Sequence, residues 1–593
     1  MPRPWRMLMI LNLLVISVTL AYAQNNNEAK SRVNEFLRYY KLDAKATPQE
    51  VERLIDLQTK LRSPATSLAD RQAGYRELFQ ILYRMLGTTP LPPEQAVNGA
   101  AQNFAQTAHG QLTSGSYKSP SDATTPHGQP GHVEKLGRGP IPMILLADVG
   151  EDWTLYKSFM ERNAGRYTMY AVTLPGSGGT PLPPKPEFYE PGATPWWDNV
   201  ARIIVKLIEK QKLDKPVIVG TQASSYAAAR MAIEHPDKVR AAVLLDGMIK
   251  IPYRSISNPQ ALAGPEERRV ILSTRPTTMG IIGDFGPRVV QTREAVEQMI
   301  MNAPAPQRQF MLYGNLRDAE RGKALFIASA LNTDPRSFHY NTELNGVDLS
   351  DGLKALKTPI LSIVAIHDDN SPSQGGFAPS QWHEVKLRYP TIPVTVARFE
   401  NTRGYIVEEA PQELDNAVAA FLAGKPVEGK TGNALASRPS PRATASQVIG
   451  ATEITVAYGR PRVNDRKVWG ELVPYDRVWR AGANEATTIT FSADVLIEGQ
   501  KLPAGKYNFF AIPNENEWTI IFNKVTDQWG HFYYNQEFDA LRVKVKPQSS
   551  VTGEHQEWLS YNFDLISPTA TQMVIRWEKL KAPIKIEVEP PNT

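Results

Sequence analysis

Gly220-Thr221-Gln222-Ala223-Ser224 carries the sharpest chemical signal in the chain, with one part exchanged. Lys215 to Val219 is a short apolar run, and Ser225 to His235 a small-residue run that stops at Pro236. Strand, tight turn and helix, in that order, are the setting in which Gly-x-Ser-x-Gly lifts a serine hydroxyl above a sheet. Here the middle position is a carboxamide and the last glycine is a serine. A carboxamide is no nucleophile for a neighbouring base to activate. The spacing predicts the nucleophile's turn without its nucleophile.

Other residues compete for a chemical role. Ser224 and Ser225 start the helix, where their hydroxyls face away from the turn's open side. His367, with Asp368 and Asp369, follows an apolar run ending at Ala365 and could act as a base or hold a metal. One histidine beside two acids lacks the distant ligand a metal site needs, so a polar loop is the plainer reading and no metal is expected. Gln222 either fills space where catalysis has lapsed or offers donor and acceptor at the floor of a pocket. His383 falls on a helix face, and Trp196-Trp197 is either core or pocket lining.

These residues need elements to hold them. Tyr167 to Val172, Ala241 to Leu245, Ile360 to Ala365 and Val394 to Phe399 read as short buried strands alternating with helices, which argues for a mostly parallel sheet covered on both faces. The pattern breaks over 248–353, where an insertion would form a helical lid over the strand ends that bind ligands. Ahead of the sheet, 24–90 reads as a helical segment. Thr47-Pro48-Gln49-Glu50 is a capping box with proline at the first helical position. That segment is either a hairpin packed on the next domain or a dimerisation element. Residues 91–130 and 424–445 are linker-like, rich in Gly, Pro, Ser and other turn formers. From 446 to 590 the runs turn β-branched and aromatic, as in an all-β sandwich or barrel.

Bulk properties narrow the function classes. With 593 residues, 66 Lys and Arg against 61 Asp and Glu, the chain is multidomain and near neutral, which removes the electrostatic case for nucleic acid. The absence of cysteine excludes disulfides, catalytic thiols and a lipidated N-terminal cysteine. Arg3 and Arg6, the apolar run Leu8 to Leu20 and Ala21-Tyr22-Ala23 read as a signal peptide over 1–23. The expected address is therefore periplasmic or extracellular, with no stable membrane span after cleavage; a retained anchor is the alternative.

Residues 131–423 resemble an α/β-hydrolase of the lidded esterase and lipase group. The resemblance rests on Leu174-Pro175-Gly176-Ser177-Gly178, on Ala232 to Val239 and on Tyr405 to Pro411, which fall in the family's order. It implies a nucleophile at Gln222, a histidine at Gly404 (with Arg403 ahead of it), an oxyanion loop at Ala147-Asp148 and an acid at Asp368 or Asp369. Of these the acid alone has a plausible heir. A carboxylate at Asp148 would oppose a developing oxyanion if it pointed inward. Thr221, Gln222, Ala223, Asp148, His367, Asp368, Asp369 and Arg403 are the pocket candidates.

The last part resembles a bacterial secreted domain of unknown function, number 2911 in that series. The match rests on Tyr458-Gly459-Arg460-Pro461, Val478 to Thr487 and Leu502 to Tyr507. Arg480, Asn484 and Glu485 either organise a loop or bind a ligand. The aromatic stretch Asp527 to Tyr534 is core and turn, or a surface on which sugars stack. The sequence points to a non-catalytic protein that binds a small molecule or a protein partner, without a cofactor. The alternative is a hydrolase of ester or similar acyl bonds with a rearranged site.

Overall fold

A computed structural model describes residues 26–39, 42–62, 66–86, 125–183, 195–250, 293–302, 316–333, 348–367, 377–431, 439–531, 534–549 and 554–588. The expected signal peptide lies outside them, as do Asp368, Asp369 and much of the 248–353 insertion. The chain divides into two compact units, residues Met1–Ile363, Pro393–Thr395 and Arg403–Glu428 in one, and Val364–Ile392, Val396–Thr402 and Gly429–Thr593 in the other.

Helices α1 (Asn26–Tyr39), α2 (Pro48–Arg62) and α3 (Leu68–Leu86) open the first unit. Their shared core joins Val33, Phe36, Leu54, Leu57, Leu78 and Leu82, the residues of one helical face each. The capping box starts α2: Glu50 Oε2 accepts the Thr47 N–H at 2.9 Å, and Thr47 Oγ1 accepts the Glu50 N–H at 3.3 Å.

The principal sheet runs in the order β1 (His132–Leu136), β3 (Tyr167–Thr173), β2 (Ile141–Leu146), β4 (Val217–Thr221), β5 (Ala241–Leu245), β6 (Ile360–Ala365) and β7 (Val394–Phe399). The edge strand β1 is antiparallel to β3, while β2, β3, β4, β5 and β6 pair in parallel. Strands β4, β5 and β6 are buried at every position, as apolar runs in a sheet covered on both faces must be. Helices α4 (Lys157–Asn163), α5 (Pro195–Gln211) and α6 (Ser224–Glu234) cross over between strands. Trp196 and Trp197 sit in the core, with Trp197 set edge-on to Tyr226 at 5.9 Å between ring centroids.

Within the 248–353 interval the structure describes α7 (Arg293–Asn302) and α8 (Ala319–Asn332), which share Val296, Ile300 and Ile327 as a small core. Asp318 caps α8 by accepting the Arg321 N–H at 3.0 Å. The C-terminal end of α8 is fastened to two loops: Gly179 N–H donates to Asn332 O at 2.6 Å, and Thr333 Oγ1 to Gly150 O at 3.2 Å. Helix α9 (Phe377–Arg388) follows β6, and α10 (Pro411–Leu422) follows β7.

The second unit contains an antiparallel sandwich. One sheet orders β15 (Asp539–Val545), β14 (Trp518–Asn523), β13 (Gly505–Ile512), β10 (Thr488–Phe491), β9 (Thr452–Gly459) and β8 (Arg442–Ile449). The other orders β12 (Gln500–Leu502), β11 (Val495–Ile497), β19 (Leu580–Glu587), β18 (Ala570–Glu578) and β17 (Gln556–Ser567), with β16 (Gln548–Ser549) paired to β19. Alternation along β9 and β19 sends every second residue inward. Trp469, Trp479, Trp518 and Trp577 pack together there, and Trp469 lies 4.8 Å from Trp518 between centroids.

Candidate functional site

The bend after β4 forms because Gly220 has no side chain. A Cβ there would lie 2.5 Å from Ser224 O and 2.7 Å from Ser225 Cα, so only glycine lets α6 start this close to the strand. Gln222 occupies the bend itself with φ +46°, a left-handed conformation that an L side chain adopts at a cost. Its backbone is held on both sides: Gln222 N–H donates to Leu245 O at 2.8 Å, and Ser225 N–H donates to Gln222 O at 3.2 Å. The carboxamide is half-buried, beside the buried Thr221 and the part-exposed Ala223.

The two serines that follow are used by the fold. Ser224 Oγ accepts the Thr221 N–H at 2.9 Å and lies 2.8 Å from Thr221 O and 3.0 Å from Leu146 O. Ser225 Oγ donates to Gly220 O at 2.8 Å. Both residues are fully buried. Their hydroxyls stabilise the turn from beneath.

The loop after β2 supplies the site's charge. Asp148 is 6% exposed, and its carboxyl faces the start of α6, accepting the Ser224 N–H at 3.2 Å and, more loosely, the Ala223 N–H at 3.5 Å. Those amides, at the positive end of a helix dipole, are where an acyl-transfer enzyme stabilises an oxyanion. The loop is braced by Gly150 N–H donating to Ser177 Oγ at 3.0 Å and by the Thr333 contact of α8. Burial pushes the Asp148 carboxyl from 3.8 up to about 7, against the pull of the Val149, Ala223 and Ser224 amides. Glu151 is raised further, from 4.5 to about 8, first by burial and then by the charge of Asp148. Its other carboxyl contact is the side chain of Tyr405, while Glu151 Oε2 is buried with no hydrogen-bond partner among the described residues.

Tyr405 follows Gly404, which is buried and brings no side chain to the site. Arg403 Nη1 donates to Leu316 O at 3.2 Å, on the chain entering α8. The turn of helix Ile406–Glu409 is tied to the same helix by Arg321, which donates to both Glu408 oxygens at 2.8 and 3.1 Å. Thus Gln222, Ala223, Asp148, Glu151 and Tyr405 are set by three braced loops. His367 is half-buried just past β6 and belongs to the second unit, and Asp368 and Asp369 lie outside the described residues. Among the described residues no group of three or more His, Asp or Glu is arranged to hold a metal. His383, on α9, is held below the usual histidine range by burial.

Sequence reasoning passed over Glu151 as a site residue and used Tyr405 merely as a landmark. The available signal was the acid-rich turn Asp148-Val149-Gly150-Glu151-Asp152 directly after a buried strand. In the second unit, Arg480 Nη1 donates to Asn484 O at 2.6 Å and Asn484 Nδ2 to Ser440 O at 3.3 Å, a set of bonds that organises the loop.

The sequence model described as alpha/beta hydrolase family matches residues 127–489, and one described as protein of unknown function (DUF2911) matches 440–586. The pimeloyl-[acyl-carrier protein] methyl ester esterase of Aeromonas hydrophila is 25% identical over 304 residues, spanning 49% of this chain and 98% of that protein. Among solved structures, the enol-lactonase from Burkholderia xenovorans is 15% identical with a TM-score of 0.34, over 49% of this chain and 96% of that one. A thermophilic esterase from Thermogutta terrifontis is 17% identical with a TM-score of 0.34, over 49% and 93%. With more than half its length matched and the strand–bend–helix of β4 and α6 in place, the chain belongs to the alpha/beta hydrolase family.

Proposed function

We propose that the chain is an exported pseudo-hydrolase that binds a small-molecule or protein ligand at the elbow, the bend between β4 and α6, without turning it over. The observation that carries this reading is the Asp148 carboxyl on the Ala223 and Ser224 amides, beneath a bend whose residue is Gln222. Ser–His catalysis needs a hydroxyl at the bend, a base within hydrogen-bond reach, and free donors for the oxyanion. Here the bend carries an amide, Gly404 stands at the base's position, and the donors already serve a carboxyl. Loss of nucleophile and base together costs about a millionfold in the worked protease case. What remains at the bend is an amide, a phenol and two carboxyl groups, a set that suits hydrogen-bonded recognition.

One observation favours a second reading, hydrolysis of an ester bond, the kind of bond that the Aeromonas relative's name describes. Carboxyl groups raised to about 7 and about 8 are in the range for proton transfer near neutral pH. Assays of purified wild type with short acyl esters, beside Gln222→Ala and Asp148→Asn, separate the two. No turnover in any of the three supports the binding reading. Wild-type turnover that survives Gln222→Ala and disappears in Asp148→Asn supports the carboxyl-driven hydrolase.

A further inference from the structure

The second unit contains a cleft of about 400 Å³ that shares no residue with the elbow site. That volume is in the range of small-molecule sites. It is lined by residues from the end of β7, from the approach to β10, from β13 and from the 526–529 loop. Three cations and three anions meet in it: Arg398, Arg442 and Lys506 against Glu400, Glu485 and Asp527. Their formal charges sum to zero, and five of the six stand in ion pairs, with Lys506 on an exposed position. Arg398 pairs with Glu400 at 3.2 Å and with Asp527 at 2.6 Å, and Arg442 lies 3.8 Å from Glu485.

Balance of this kind selects against ionic ligands. An anion would compete with carboxylates already on the arginines, a cation with guanidinium groups already on the acids, and either would leave a charge unmatched. A neutral polyol changes no charge. Its hydroxyls donate to the carboxylates and accept from the cations, and charge-assisted bonds are the strong ones. Trp529 adds the apolar element: the residue lines the cleft and is part-exposed, and an indole offers a flat face to the C–H side of a sugar ring. The backbone that carries it is held in place before any ligand arrives. Trp529 pairs through its backbone with Glu485, and the buried Gln528 donates to Gly530 O at 3.2 Å. Preorganisation lowers the cost of binding.

We infer that this cleft is a binding site for a neutral, hydroxyl-rich ligand of the saccharide class, with Trp529 as its stacking face. The site stands whether or not the elbow is catalytic. The test is calorimetric titration of the full chain with neutral gluco-, manno-, xylo- and chito-tetraoses, with galacturonate tetramer and inorganic phosphate as charged controls. At least one neutral tetraose binds in the micromolar to low-millimolar range, and the charged probes bind more weakly. Trp529→Ala weakens that binding by about tenfold, and Trp529→Tyr largely keeps it. Lys506→Ala, on an exposed strand position, provides a second readout of weakened binding should Trp529→Ala not fold. Absence of binding by all four neutral probes, tighter binding of a charged probe, or binding unaffected by both Trp529→Ala and Lys506→Ala overturns the inference.

Discussion

Replacing Asp148 by asparagine removes a charge from beside the elbow while keeping an oxygen for the Ala223 and Ser224 amides. A carboxyl whose pKa is higher in the folded than in the unfolded chain holds an extra proton between the two values. Unfolding releases that proton, so stability falls as pH climbs through the window. For Asp148 the window runs from 3.8 to about 7, and for Glu151 from 4.5 to about 8. At about 1.4 kcal/mol per pH unit, Asp148 alone accounts for at most about 4 kcal/mol between acid and mildly alkaline pH. Part of the Glu151 shift is the charge of Asp148, so the two do not add in full. A working figure is roughly 2 kcal/mol of relief at pH 8.5 on Asp148→Asn, or about 4–8 °C in the midpoint of the α/β transition. Differential scanning fluorimetry of both proteins from pH 5 to 8.5 reads this directly, and the difference between them cancels titrations elsewhere. The variant gains on the wild type as pH rises. A variant equally destabilised at pH 5 and 8.5, or one that loses ground with pH, would refute a buried carboxyl held near neutrality.

Three further outcomes follow from the packing. Gly220→Val drives a side chain into the Ser224 and Ser225 backbone and destabilises the first unit by about 3 kcal/mol or more in urea titration. Asp415, 4% exposed, accepts from Arg162 Nε at 2.7 Å and Asn163 Nδ2 at 2.8 Å; Asp415→Ala costs about 3–5 kcal/mol and Asp415→Asn less. Adding Asp148→Ala to Gln222→Ser/Gly404→His raises any acyl-ester rate of the double variant by about a hundredfold, since it frees the donors of the oxyanion position; equal initial rates on p-nitrophenyl acetate would deny that role to Asp148.

Much of the fold was legible because its strands are apolar runs bounded by glycine, proline and polar turns. Val217 to Thr221 and Ala241 to Leu245 are buried throughout, as such runs require. The bend was legible from Gly220 and the small residues after it, whose lack of bulk is the condition for strand and helix to approach. The direction of the Asp148 carboxyl was not, because it depends on a helix start 75 residues away in sequence. The joining of Glu151 to Tyr405 was hidden for the same reason, with two loops far apart in the chain brought together by the sheet order. The charge-matched cleft of the second unit draws on residues from Pro379 to Trp529, and no local pattern announces it. Trp529 itself lay in an aromatic stretch whose alternative readings, core or sugar platform, sequence could not rank by geometry.

Intact-mass analysis after exposure to a fluorophosphonate probe reads whether the elbow carries an activated hydroxyl, because such a group is captured whatever its natural substrate. With Gln222 at the bend and the Ser224 and Ser225 hydroxyls committed to backbone oxygens, no added mass is expected. An adduct mapped to either serine, lost on its replacement by alanine, would contradict it.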